Sequence, residues 1–535
     1  MTQRFSRRRA MQAAAAGAAV ATLPQVAAAS RQATPKAPAE STVSAEAVDA
    51  AVQKLDALIE DAMTRMGVPG AAVAVVHDDA VVYERAFGVR DMAGTDEVTP
   101  DTVFQLASMS KPISSTLVAA VIGDGATTWD AVAADTLTGF ALHDPWWTAQ
   151  VTLRDLFSHR SGLPAYAGDG LTATFGYGRE ESVRRMRHIL PASPLRTTFA
   201  YTNLGLSVAG YAAAEAAGQA WEDLADARLF APLGMSSTSY WYEDFIGRGN
   251  RATPHYRTAE GGWAHGEVVD GTAAAPAGGV STSIRDLAQW VRLQLGDGIY
   301  EGNEIVASAP LYETRRPQIL EASPPNPMNG PTLFYGLGWR LTFDEHGRLA
   351  MSHIGDFSSG ARTGVSLLPA ARLGIVVLSN AWPNSLADAI PRAFFEIVER
   401  GEPTEDWVGV YEAQTDEGLA AIRSAAPFPS GAPPANDPPL PLDAYSGIYT
   451  NELYGDTTAR AEDDSLVLDL GPMPVTIELR PWDRDVFTYP LPPSGQVMLG
   501  QLGVEFTIGP TGTATSLAFG LPTVGPDATA YFTRR

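Results

Sequence analysis

Phe104-Gln105-Leu106-Ala107-Ser108-Met109-Ser110-Lys111-Pro112 leads into an apolar run predicted to be helical over 109–122, and its reading decides the fold. Ser108 and Lys111 stand three residues apart, so at a helix start their side chains share one face. A hydroxyl is a poor nucleophile at neutral pH and needs a neighbouring base, and a partly desolvated lysine can be that base. The helix N-terminus brings N–H groups and a dipole to bear on a developing anion. Alone, Ser-x-x-Lys also arises by chance, and the bland alternative is a lysine snorkelling from a helix. Residue usage argues against that alternative. Of 38 basic residues only Lys36, Lys54 and Lys111 are lysine, so arginine serves almost wherever a solvated cation will do. Arginine cannot give up its proton in a protein, whereas a buried ammonium can be tuned towards neutrality. A lysine kept in an apolar helix is therefore a candidate proton acceptor, evenly matched with the snorkelling alternative until further motifs are counted.

Outward from this stretch, Tyr201-Thr202-Asn203 follows an extended Thr197–Ala200 segment and precedes a helix predicted over 203–217. A phenol near an ammonium can titrate low enough to shuttle protons. Taken alone, a buried tyrosine beside a helix-capping asparagine explains the pair better. His353-Ile354-Gly355, on a predicted strand, puts a polar side chain beside the cleft, with Gly355 letting substrate approach the backbone. A lone histidine, in turn, is more often structural. In the order Ser-x-x-Lys, Tyr-x-Asn, His-x-Gly, the three together resemble the serine β-lactamase and penicillin-binding protein family, particularly its class C β-lactamase, esterase and D-peptidase branch. Further segments resemble the family as well: Leu156–Pro164, Pro232-Leu233-Gly234-Met235, Pro276–Ser283 and Tyr335-Gly336-Leu337-Gly338-Trp339. The likeness covers roughly residues 46–400. His159, inside the first of these segments, reads as a brace for its loop.

The resemblance implies that Ser108 attacks a carbonyl carbon to form an acyl-enzyme, with Lys111 and Tyr201 relaying the proton to the leaving group. It implies that Asn203 holds the substrate amide and that the N–H groups of Ser108 and Asp356 form the oxyanion hole. No metal or organic cofactor is required. Two departures bear on substrate. Family members usually carry lysine at the position of His353, where a fixed positive charge favours a carboxylate, and Asp356 adds a negative group beside it. His353, Gly355, Asp356 and Asn203 are thus the expected substrate-binding residues, and the departures weaken the case for a β-lactam or another carboxylate-bearing substrate.

The layout fits an α+β fold: an antiparallel sheet built from both ends of the domain, flanked by helices, with a helical region inserted between. A helix through Leu55, Ile59 and Met66 precedes two strands, 70–76 and 80–88, around His77-Asp78-Asp79. Strands return at 335–343, 349–352, 363–369 and 374–380, and an amphipathic helix closes the domain at 385–399. The hydrolase domain is set at 46–405, a Pro-rich linker at 406–441, and a small antiparallel β-barrel at 442–535, with strands at 466–470, 475–479, 486–489, 504–508 and 516–519. This last part resembles lipocalin-like modules appended to some peptidases of the family; a passive oligomerisation module is the alternative.

At the N-terminus, Ser6-Arg7-Arg8-Arg9, an Ala-rich run and Ala27-Ala28-Ala29 read as a twin-arginine-type signal peptide over 1–29, with a flexible lead at 30–45. A periplasmic or secreted protein without a membrane span in its mature form follows. The formal net charge of −23, which becomes more negative once the signal arginines are removed, makes nucleic acid an unsuitable partner. Cysteine is absent, which excludes disulfides, a thiol nucleophile and thiolate metal sites. The resulting expectation is an exported serine hydrolase cleaving small peptides or related amides, with a small-molecule or short-peptide substrate as its partner and homo-oligomerisation left open. The rival readings are a carboxylesterase, a weak class C-like β-lactamase and a non-catalytic binding protein.

Overall fold

Gly70–His77 and Ala80–Gly88 form the expected hairpin, and the first of these strands becomes an inner strand of the main sheet. The computed structural model describes residues 43–535 apart from 259, 324–331, 427, 429–436, 473–474 and 523–528. The signal expected at 1–29 and nearly all of the lead at 30–45 lie outside the described residues. The sheet has eight strands, all antiparallel, in the spatial order 80–88, 70–77, 373–379, 361–368, 349–357, 340–343, 333–335, 319–322. Both chain ends of the domain contribute to it.

Side chains alternate across a strand, so a strand buried along its whole length needs cover on both faces. Ala71, Val73 and Val75 join Ile375 and Val377 in a core under the helices Ala45–Met66 and Leu386–Arg400. Ala72, Ala74 and Val76 join Val376 and Leu378 in a second core, with the helix Ile284–Leu295 and the helical region. Ser44 caps the first helix through Ala47 N, and Gly67, at φ +67°, ends it in the left-handed conformation. The helices Asn203–Ala217 and Ile284–Leu295 keep the boundaries their sequence pattern predicts.

The strand expected at 335–343 is split into Leu333–Tyr335 and Arg340–Phe343. Gly338, at φ +79°, turns the intervening segment under the helix Ser110–Gly123, where a β-carbon would stand 2.8 Å from the Lys111 carbonyl oxygen. The linker expected at 406–441 likewise holds structure: Trp407–Ala425 is a helix whose N-cap, Asp406, accepts from Gly409 N. Trp407 Nε1 donates to Glu396, which ties this helix to Leu386–Arg400. Proline enrichment begins only beyond the helix, largely in residues outside those described.

From Gly447 to Arg534, eight strands, each paired with its sequence neighbour, close into an up-and-down barrel through the pairing of Tyr449 with Arg534. Five strands follow the expected positions. The others, at 447–451, 455–462 and 529–534, are polar along one side and offer little apolar alternation. Tyr445, Tyr449, Phe487 and Phe506 fill one part of the interior with ring contacts of 5.0–5.8 Å. Phe175 of the hydrolase part, itself fully buried, stacks on Tyr454 at 4.7 Å and contacts Phe519 and Phe532. Backbone meets backbone there as well, since a β-carbon on Gly471 would fall 1.9 Å from the Phe175 carbonyl oxygen. Barrel and hydrolase part therefore share a core. Among the described residues no helix is long and apolar enough to cross a membrane.

Candidate active site

The turn that carries Ser108 is built at a strand-to-helix junction. Val103–Gln105 pairs with Ser281–Ser283, and Leu106 N donates to Val280 O. Ala107 then adopts φ +50°, an uncommon conformation for a residue with a β-carbon, and the 3-10 turn Ala107–Met109 runs into the helix Ser110–Gly123. This helix is buried on every side from Ser110 to Val121, so Lys111 is enclosed by protein. Its Nζ lies 2.9 Å from Ser108 Oγ, 2.8 Å from Asn203 Oδ1 and 2.9 Å from Ala277 O. Burial, the largest influence, pulls its pKa from 10.5 down to about 7; the Asp169 charge opposes this and the Arg340 charge adds to it. A neutral amine has two N–H donors and one lone pair. Asn203 Oδ1 and Ala277 O can only accept, so the lone pair is left for the Ser108 hydroxyl.

Asn203 begins the helix 203–217, and its Nδ2 donates to Asp169 Oδ2 at 2.8 Å. Its carboxamide thus bridges Lys111 and Asp169 and orients the amine, with one Nδ2 donor remaining for the substrate-amide contact expected from the sequence. Asp169 is half-buried, and burial raises its pKa from 3.8 to about 6 against the opposing pull of Asn203 and Lys111. A chain Lys111–Asn203–Asp169 results.

The Tyr201 phenol neighbours Ser108, and Lys111 Nζ sits 4.6 Å from its ring centroid. Burial raises its pKa above the ordinary phenol value and outweighs the Ser108 hydrogen bond and the Arg340 cation. The expected low titration is therefore corrected: Tyr201 is a neutral phenol. His159 braces it, as the sequence suggests. The His159 carbonyl accepts from Ala200 N at 2.8 Å, its Nδ1 accepts from Thr202 N at 3.1 Å, and its ring lies 4.5 Å from that of Tyr201.

The expected substrate-binding trio on the strand Leu349–Phe357 has other employment. His353 is buried, with Nε2 3.0 Å from Tyr335 Oη and Nδ1 2.9 Å from Ile354 O, and burial holds its pKa well below 6.5. It is a neutral brace with no charge to offer a substrate. At Gly355 the close approach is made by the turn that carries Ser108: a β-carbon would lie 2.0 Å from Leu106 O and 2.9 Å from Met109 N. Asp356 places both carboxylate oxygens on Arg362 Nη1, at 2.7 and 2.6 Å, a cation it shares with Asp388.

Sequence reasoning passed over Asp169 and Arg340. Arg340 pairs with Ser352 on the neighbouring strand and donates from Nε to Glu321 Oε1 at 2.8 Å; its side chain is 38% exposed. Among the described residues its terminal nitrogens have no hydrogen-bond acceptor, while its charge is felt by Lys111, Tyr166, Tyr201, Tyr335 and His353. In a chain that writes nearly every cation as arginine, one more arginine carries no signal. Asp169 had none either, because its burial depends on tertiary contacts.

Comparison with known proteins agrees with this geometry. The beta-lactamase family profile matches residues 55–398, and a domain of unknown function (DUF3471) matches 432–530. The unguisins hydrolase ungD' of Aspergillus campestris (strain IBT 28561) is 25% identical over 482 residues, covering 85% of this chain and 87% of that protein. Penicillin-binding protein 4 of Amycolatopsis lactamdurans is 28% identical over 405 residues, covering 75% and 97%. Among solved structures, the octameric penicillin-binding protein homologue from Pyrococcus abyssi shares the fold with a TM-score of 0.58 at 19% identity, covering 90% of this chain and all of that one. A profile spanning most of the hydrolase part, joined to a Ser-Lys-Tyr cluster packed against an antiparallel sheet, identifies the chain as a member of the beta-lactamase family of serine hydrolases.

Proposed function

We propose that the protein is an exported hydrolase that cleaves small peptides or related amides through an acyl-enzyme on Ser108. The observation that carries this reading is the hydrogen-bond set of Lys111, which directs the amine lone pair at Ser108 Oγ while burial keeps the amine near neutrality at physiological pH. Lys111 takes the hydroxyl proton as Oγ bonds to the carbonyl carbon. The N–H groups of Ser108 and Asp356, on segments packed together through Gly355, receive the oxyanion. Tyr201 hands its phenolic proton to the leaving nitrogen and regains one from Lys111. Water then attacks the ester carbonyl, its proton returns through the same groups, and Ser108 is released. A relative named as a hydrolase supports the reaction class.

The test is intact-mass analysis after a fluorophosphonate or a slow ester substrate. One adduct on Ser108 is expected, and an equal adduct on Ser108→Ala protein would overturn the assignment. Short peptides, p-nitrophenyl esters and a chromogenic cephalosporin, run as one panel, separate amidase from esterase and β-lactamase. Arg340 favours a second reading in which the substrate carries a carboxylate, since it restores to the cleft the fixed cation that His353 lacks. Arg340→Gln should then raise KM for a carboxylate-bearing substrate and leave its methyl ester unaffected.

A further inference from the structure

A second cluster of reactive side chains lies in the short sheet that extends the hydrolase fold beyond the strand Leu373–Ser379. There His255–Arg257 and Trp263–His265 form a hairpin, and Ala381–Trp382 runs parallel to its first strand. His255 and His265 are direct cross-strand partners, so both imidazoles leave the same face. Asp91, from the segment after the strand Ala80–Gly88, meets them there. Its Oδ1 lies 2.7 Å from His265 Nε2 and 4.0 Å from His255 Nε2, and one ligand atom from each of the three residues falls within 4.8 Å of the others.

The first histidine is oriented as a metal ligand is. His255 is fully buried; its Nδ1 donates to the backbone carbonyl of Asn380 at 3.0 Å, and its Nε2, which accepts from Met92 N and would have to give up that bond to an ion, lies on the Asp91 side of the ring. The remaining polar contacts of the cluster are Met92 N to His255 Nε2 at 3.2 Å, Ala93 N to Asp91 Oδ1 at 2.8 Å and Thr253 Oγ1 to Asp91 Oδ2 at 3.3 Å. They steady Asp91 and make one modest claim on His255. His265 is half exposed and gives solvent, or an ion, a way in.

We propose that Asp91, His255 and His265 bind a divalent transition-metal ion of the zinc type, with water completing the coordination. Two imidazoles and one carboxylate suit zinc or a neighbouring first-row ion better than calcium or magnesium, which prefer all-oxygen sets. The ion is structural. It ties the hairpin to the segment after Gly88, and the hairpin in turn packs on the turn that follows Asp356: β-carbons on Gly266 and Gly360 would overlap Ser359 O and His255 N. Gln105, three residues before the nucleophile, exchanges two hydrogen bonds with the Val269 backbone just beyond the hairpin. The clamp thus steadies a wall of the cleft without touching the reacting atoms.

The full-length protein, stripped with a chelator, is titrated with ZnCl2 against a chromogenic competitor, and melting temperature and hydrogen exchange over 255–265 are followed. Wild type should take up one equivalent, melt higher and exchange more slowly in that hairpin. His265→Ala and Asp91→Asn, both at accessible positions, should weaken binding by at least about 10-fold. Ser108→Ala should bind as wild type does, which keeps this test separate from the catalytic reading. Failure of wild type to bind, or equal binding by both cluster variants, would overturn the site.

Discussion

Replacing Lys111 by Met keeps the length and shape of the side chain and removes its titration, so its consequences for stability and for chemistry can be worked out separately. The pKa of Lys111 is drawn from 10.5 to about 7 by burial, a penalty on the charged form of about 5 kcal/mol. The unfolded chain holds this proton up to about pH 10.5, whereas the folded protein releases it near pH 7. Between those values the unfolded state binds more protons, and stability rises with pH. Wild type should therefore gain on the order of 1 kcal/mol relative to Lys111→Met between pH 6 and pH 8. Asp169 acts in the same direction, because loss of the Lys111 cation raises its pKa further and prolongs the pH range over which the variant loses stability. Denaturant unfolding at both pH values measures the difference. In parallel, wild-type acylation by a p-nitrophenyl ester should rise with pH through a midpoint near 7, while the variant is slower by about 10²–10⁴. Parallel stability profiles for the two proteins, or acylation of the variant within about 10-fold of wild type, would refute the reasoning.

Opposite charges act on the same midpoint, so Asp169→Asn should shift it to lower pH and Arg340→Gln to higher pH; shifts of one sign in both variants would contradict the assignment. Gly355→Ala forces a β-carbon to within 2.0 Å of Leu106 O, and displacement of the nucleophile turn should cost about 1–3 kcal/mol and most of the acylation rate, read by stopped-flow burst amplitude and thermal melting. Phe175→Ala removes the ring shared with the barrel and should destabilise the protein by about 3–5 kcal/mol, with earlier proteolytic release of the barrel as its local signature.

The sequence by itself determined the features that depend on local pattern and on residue chemistry. Burial on both faces of Gly70–His77 follows from an uninterrupted apolar run, helix 203–217 from its spacing, and the identity of Ser108, Lys111 and Tyr201 as one cluster from three motifs in fixed order. Scarcity of lysine marked Lys111 before any fold was known. Only the tertiary structure decided what those groups face. Burial set the direction in which Lys111, Asp169 and Tyr201 titrate, and it turned the phenol away from the low pKa its motif suggested. Contacts made by the packed sheet closed His353 against Tyr335 and brought Arg340 to the cleft in place of a lysine. The same holds for the Asp91, His255 and His265 cluster, whose members are spread over more than 170 residues and meet only when a hairpin packs against the main sheet. Desolvation and long-range pairing are properties of the packed chain, and no window of sequence contains them.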